Sequence, residues 1–184
     1  MNDNMLEFFG LRDNPFKLEV ILETFVGYRS EREIILNALK NKEKLILISG
    51  PTGAGKTTLL LWTFNNFTYK NKVFLYRPTQ NKEELLDEIS KRTFNAFEKL
   101  LSIFYKDKIK LLSKKELFIF IDESTFMTDD LIEYIKVLVD HTKATFVLAG
   151  LPEFEERLLR EHRTFYERIS TKVYLRSLDP ESGK

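Results

Sequence analysis

Residues Gly50-Pro51-Thr52-Gly53-Ala54-Gly55-Lys56-Thr57 fit the spacing G-x-x-x-x-G-K-[ST], and no other stretch restricts the fold of this chain as tightly. Leu45-Ile46-Leu47-Ile48-Ser49 ahead of the glycines reads as a buried strand, and Thr58-Leu59-Leu60-Leu61-Trp62 behind them as a helix. A strand that turns through glycines into a helix N-terminus makes an anion site. Backbone N–H groups wrap the oxygens of a phosphate, and the helix dipole favours negative charge. Gly53 and Gly55 allow the close approach because no Cβ stands in the way. In such a loop the lysine, here Lys56, reaches the outer phosphates of a nucleoside triphosphate, and the Thr57 hydroxyl holds Mg²⁺. The expected nucleotide-binding residues are therefore Gly50, Pro51, Thr52, Gly53, Ala54, Gly55, Lys56, Thr57 and Thr58, with Lys56 catalytic as well.

A second pattern supports the first. Leu117-Phe118-Ile119-Phe120-Ile121 is a continuous apolar run that ends in Asp122-Glu123. Parallel strands buried on both faces read this way, and an open α/β sheet places its ligands at the carboxyl ends of its strands. Asp122 is expected beside the phosphate loop, holding Mg²⁺ through water. Glu123 is expected to orient or deprotonate an attacking water. The implied ligands are ATP and Mg²⁺, with Thr57 and Asp122 as the metal residues.

Bulk composition excludes several alternatives. With 184 residues the default is one domain. The absence of cysteine removes disulfides, thiolate catalysis and zinc–sulfur sites. A net charge of +1 gives no bulk attraction to nucleic acid, leaving only a local patch. No apolar run reaches the ~20 residues needed to span a membrane. The start, Met1-Asn2-Asp3-Asn4-Met5-Leu6-Glu7, is polar and acidic, unlike a signal peptide. The expected location is cytoplasmic.

The remaining elements alternate between helix and strand, which predicts a parallel sheet covered on both faces. Ser30 is expected to cap a helix, with Glu33 completing a capping box and Ile34, Ile35, Ala38 and Leu39 facing inward. Strands are expected at 73–76, 117–121, 145–149 and 172–175. Helices are expected at 56–66, 81–93, 94–104, from Thr128 or Asp129 to 140, and at 153–161 after Pro152. Trp62 is expected in the core.

In this order, the pieces resemble the AAA+ ATPases over nearly the whole chain. Phe9-Gly10-Leu11 with Asn14-Pro15-Phe16 is similar to the start of the general-secretion-pathway protein A type, whose relatives include accessory ATPases of transposition. Phe25-Val26-Gly27-Tyr28-Arg29-Ser30-Glu31-Arg32 resembles the F-V-G-R-x-x-E segment over the adenine of origin-recognition-like ATPases, with Tyr28 inserted before the arginine. Ala149-Gly150-Leu151-Pro152-Glu153-Phe154 resembles the G-x-P-E-L turn after the sensor strand of the secretion and transposition groups. The resemblance implies a three-layer P-loop sandwich. It divides the chain into a segment at 1–28 that caps the nucleotide, an ATPase core at 29–178, and the start of a missing or truncated helical lid at 179–184. It adds Val26 and Tyr28 as adenine neighbours. It also implies an arginine finger, supplied to the neighbouring subunit from the segment before the last strand, with Arg168 first and Arg163 second. Leu151 departs from the family's polar sensor and carries no hydrogen-bonding group, so a different residue positions the water or turnover is slow.

The implied activity is ATP hydrolysis at the interface of a homo-oligomer, a ring or filament, acting on double-stranded DNA in transposition, replication initiation or mobile-element maintenance. One alternative is a secretion-type remodelling ATPase, and another is a slow nucleotide switch. Lys106, Lys108, Lys110, Lys114 and Lys115 form a basic run that either touches a phosphate backbone or is simply solvated. Arg157, Arg160, His162 and Arg163 either meet a neighbouring subunit or face solvent. Neither His141 nor His162 has metal-ligand company in the sequence.

Overall fold

The computed structural model describes residues 27–96, 98, 99 and 108–176. In chain order the elements are α1 (Arg29–Lys40), β1 (Leu45–Ser49), α2 (Lys56–Asn66), β2 (Lys72–Leu75), α3 (Lys82–Thr93), α4 (Lys108–Leu112), β3 (Glu116–Ile121), a 3₁₀ turn (Ser124–Phe126), α5 (Asp129–His141), β4 (Lys143–Gly150), α6 (Pro152–Glu161), α7 (Arg163–Tyr166) and β5 (Thr171–Tyr174). The expected cap at 1–28 lies outside the described residues except for Gly27 and Tyr28, and 179–184 lies wholly outside them. Most of the helix expected at 94–104 also falls outside them.

The five strands form one parallel sheet in the order β2-β3-β4-β1-β5. Strand parity divides the core. Leu45, Leu47, Ile119, Ile121, Phe146 and Leu148 face one layer, packed on α3, α5 and α6 through Leu85, Ile89, Leu131, Ile135, Phe154 and Leu158. Ile46, Ile48, Phe118, Phe120, Val147 and Ala149 face the other, packed on α1 and α2 through Ile35, Leu39, Leu59 and Leu60. Apolar side chains on both faces explain why the strands read as unbroken hydrophobic runs. The result is the expected α/β three-layer sandwich.

Local signals set most boundaries. Asn81 caps α3 by accepting from Glu84 N–H, and Thr128 caps α5 by accepting from Leu131 N–H. Pro152 occupies the first turn of α6, where its missing N–H costs nothing. The start of α1 differs from the expectation. Tyr28 holds the cap position in left-handed backbone (φ 52°) and takes the first helical bond, Arg32 N–H to Tyr28 O at 2.8 Å. Ser30 is therefore already inside the helix, and its hydroxyl bonds Glu31. Ile34 is exposed. Trp62 is half-buried with the Arg32 guanidinium 4.8 Å from its ring centre, so it caps the α1–α2 packing from outside the core.

Candidate nucleotide site

The loop after β1, the acid pair after β3 and the turn after β4 meet at the carboxyl edge of the sheet, with β4 between the other two strands. Gly50 closes β1 through Gly50 N–H to Gly150 O. A Cβ at Gly50 would stand 2.9 Å from Leu175 O, so the loop leaves β1 tight against the chain after β5. Pro51, Thr52 and Gly53 are exposed, Ala54 is buried, and Gly55 enters α2 with φ 82°, a conformation glycine adopts without strain. Thr58 lies half-buried in the first turn of α2.

Lys56 folds back over the loop. Its ammonium donates to Gly50 O and Pro51 O, each at 2.8 Å. Partial burial lowers its pKa, and the charges of Asp122 and Glu153 work against that shift. Thr57 Oγ1 donates to Asp122 Oδ2 at 2.6 Å, joining motifs 65 positions apart. Asp122 is 4% exposed, and its other oxygen accepts Glu123 N–H at 2.8 Å. A hydroxyl oxygen and a carboxylate oxygen side by side are hard donors and fit Mg²⁺, which takes one or two protein carboxylates and completes its shell with water and phosphate.

Glu123 sits in left-handed backbone (φ 49°), a conformation costly for a residue with a Cβ. It turns the chain out of the sheet into the 3₁₀ turn. Its Oε2 lies 2.8 Å from Arg77 Nε, an ion pair outside hydrogen-bond alignment, and is otherwise shielded, with no hydrogen-bond partner among the described residues. A cleft of about 210 Å³ lined by Arg77, Pro78, Glu123 and Phe126 opens beside it. Tyr76 and Phe126 are exposed at the same edge. Arg77 was not among the residues singled out from sequence. Its only signal is its place, two residues after β2, at the edge where ligands gather.

The turn after β4 places Leu151 where the family's polar residue was expected. Its N–H donates to Thr125 Oγ1 at 2.9 Å. A hydroxyl therefore does reach this corner, from the 3₁₀ turn instead of from β4. Arg157 secures that turn through Nη2 to Met127 O at 2.6 Å and Nη1 to Thr125 O at 3.4 Å.

These contacts bring together every described residue expected at the nucleotide except the finger. Val26 lies outside the described residues. Tyr28 sits on the loop, its hydroxyl 2.9 Å from Ala54 O. Arg168 lies before β5, toward the amino edge of the sheet, where Ser170 N–H bonds Leu45 O. It forms a two-pronged pair with Asp140 at 2.8 Å on each arm, away from its own phosphate loop. Arg163 pairs with Glu167. His162, unlike the sequence reading, has company: Asp129 at 2.8 Å and Glu133 at 3.4 Å.

The sequence matches the AAA domain family over residues 39–158, well over half of the chain. The chain belongs to the AAA domain family. No curated protein sequence matches it. Among solved structures, this AAA domain resembles the ORC2 protein of Aeropyrum pernix in its ADPNP–ADP complexes, with 16% identity and a TM-score of 0.57 over 84% of this chain and 50% of that one. It also resembles a Walker-type ATPase of Pyrococcus abyssi (19% identity, TM-score 0.56, 87% of this chain and 56% of that one). A DNA replication initiation factor is similar as well (17% identity, TM-score 0.53, 89% of this chain and 51% of that one). The AAA domain thus spans about half the length of these structures, and at such identities the likeness establishes the shared fold. Among the described residues, no helix is long and apolar enough to cross a membrane.

Proposed function

We propose that this AAA domain binds ATP with Mg²⁺ and hydrolyses it between subunits of a homo-oligomer. The observation that carries the reading is the 2.6 Å bond from Thr57 to Asp122. It unites the glycine loop and the acid pair into one site with hard oxygen donors, a cation and a carboxylate. Thr57 and Asp122 would hold the metal, which when bound neutralises phosphate charge and draws electron density from the γ-phosphorus. Lys56 exchanges its carbonyl partners for phosphate oxygens and adds positive charge where it is needed. Glu123 takes a proton from the attacking water. The water oxygen bonds to the γ-phosphorus while the bond to the bridging β,γ-oxygen breaks, leaving ADP and phosphate. Thr125 supplies the polar contact that Leu151 does not. Arg168 of one subunit serves the phosphates of the next once it leaves Asp140, and Val26 and Tyr28 border the adenine.

For the task of the assembly we favour DNA. One support is the likeness to a DNA replication initiation factor. The basic run contributes less than its sequence suggested, because Lys115 is turned inward onto Thr93 O and Glu98. Steady-state ATP hydrolysis with and without double-stranded DNA tests this, with Glu123→Gln as control. DNA-dependent stimulation that vanishes in the control is expected. Equal turnover in both conditions would move the role to protein remodelling.

A further inference from the structure

Tyr28 is joined to the phosphate loop by more than proximity. Its ring lies alongside Gly55, where an added Cβ would stand 3.7 Å from Tyr28 Cε2. Its hydroxyl is 2.9 Å from Ala54 O and 2.7 Å from Arg176 O. Burial, and after it the charge of Glu31, raises the pKa of the phenol, so it remains a donor at neutral pH.

The Ala54 carbonyl shares a planar unit with the Gly55 N–H. The peptide is trans, so the two groups point in opposite directions. Holding the carbonyl on Tyr28 turns the Gly55 N–H away from Tyr28. In a loop of this pattern the consecutive N–H groups are what a phosphate meets. We propose that Tyr28 is a positioning residue for the phosphate loop: by holding the Ala54 carbonyl it fixes the peptide whose N–H, on Gly55, is offered to a bound phosphate. The inference rests on the nucleotide reading above and extends it, since an adenine neighbour need not touch the loop at all.

The second carbonyl has a consequence. A phenol carries one proton, and Ala54 O and Arg176 O compete for it. The loop therefore shares its clasp with the residue two positions beyond β5.

Tyr28→Phe keeps the ring and removes the hydroxyl. Calorimetric titration of the wild-type and Y28F chains with ATP, and separately with inorganic tripolyphosphate, is the test. Tripolyphosphate has no base, so only the loop can report. Y28F is expected to weaken both ligands by the same factor, about threefold to tenfold, the range for one neutral hydrogen bond. The thermal midpoint of the unliganded chain separates this from lost stability. Tripolyphosphate binding equal to wild type, with or without a lowered midpoint, would overturn the inference. So would weakening confined to ATP, which would mark a base contact only. Failure of the wild-type chain to bind either ligand would overturn the nucleotide reading itself, a distinct result.

Discussion

Replacing Arg157 by leucine should loosen the turn that follows Glu123, the proposed catalytic carboxylate. In the native fold Arg157 Nη2 donates to Met127 O at 2.6 Å, Nη1 reaches Thr125 O at 3.4 Å, and the guanidinium lies 5.5 Å from the Phe154 ring centre. A hydrogen bond from a charged donor contributes about 1.5–3 kcal/mol, and the longer contact adds little. The loss is partly offset, because Arg157 Nε is buried with no partner among the described residues, and leucine removes that unmet donor along with the bonds. The net cost is about 1–2 kcal/mol. For a chain of this size each kcal/mol lowers Tm by about 2–4 °C, so R157L should melt about 2–8 °C below wild type. Turnover should fall with it, since the same turn carries Thr125 and follows Glu123. Scanning calorimetry beside Arg160→Leu is the assay. Arg160 is on the same helix but exposed, and among the described residues it pairs with its neighbour Glu161 alone, so its change should stay within about 0.5 kcal/mol. An R157L midpoint within a degree of both wild type and R160L would show that these bonds do not hold the turn.

Four further outcomes are expected. Thr57→Ala should weaken Mg²⁺-dependent ATP binding while leaving metal-free binding closer to wild type; equal losses with and without Mg²⁺ would contradict the assignment. Arg77→Ala should raise basal turnover, because it frees Glu123 from its ion pair. The pair is largely exposed and worth at most about 1 kcal/mol, so the rise should not exceed about fivefold, and unchanged or reduced turnover in a steady-state assay would count against it. Arg168→Ala should cut the turnover of the assembled protein by about 10³-fold if it is the finger, whereas Asp140→Asn, which keeps the arginine, should not. The same pair predicts a pH dependence of stability. Arg168 holds the Asp140 carboxyl below its ordinary range by hydrogen bonding and charge, so the native state binds fewer protons than the unfolded chain between the two pKa values. The contribution is therefore present above the unfolded value of about 3.9 and is lost as pH falls through the depressed native value. The Tm gap between wild type and R168A should close in that window.

Much of this was legible in the sequence, and what was not has a common cause. The strands announced themselves because burial on both faces makes them uniformly apolar, as in Leu117–Ile121. The phosphate loop and Asp122-Glu123 were legible because backbone chemistry demands particular residues at fixed spacing. The contacts missed join segments distant in sequence: Arg77 with Glu123, Tyr28 with Ala54 and Arg176, and Arg157 with the 3₁₀ turn. Nothing local distinguishes those side chains from solvated ones. Arg157 looked like part of a cluster with Arg160, His162 and Arg163, yet it and His162 turn inward while the other two arginines stay exposed. The polar group near Leu151 was sought on β4, whereas Thr125 brings it from the neighbouring turn. The misplaced start of α1 arose because Gly27 (φ 131°) and Tyr28 enter the helix through positive φ, which a capping-box pattern does not encode. Helix α7, with four residues, is too short to show a period.

Glu123 is proposed to activate water at a site built by the glycine loop and Asp122. Single-turnover hydrolysis of ATP with Mg²⁺, measured in wild type and Glu123→Gln alongside equilibrium ATP binding, tests it most directly. Both proteins are expected to bind ATP with similar affinity, and only wild type to form ADP at a measurable rate. Hydrolysis by the Glu123→Gln protein at the wild-type rate would contradict it.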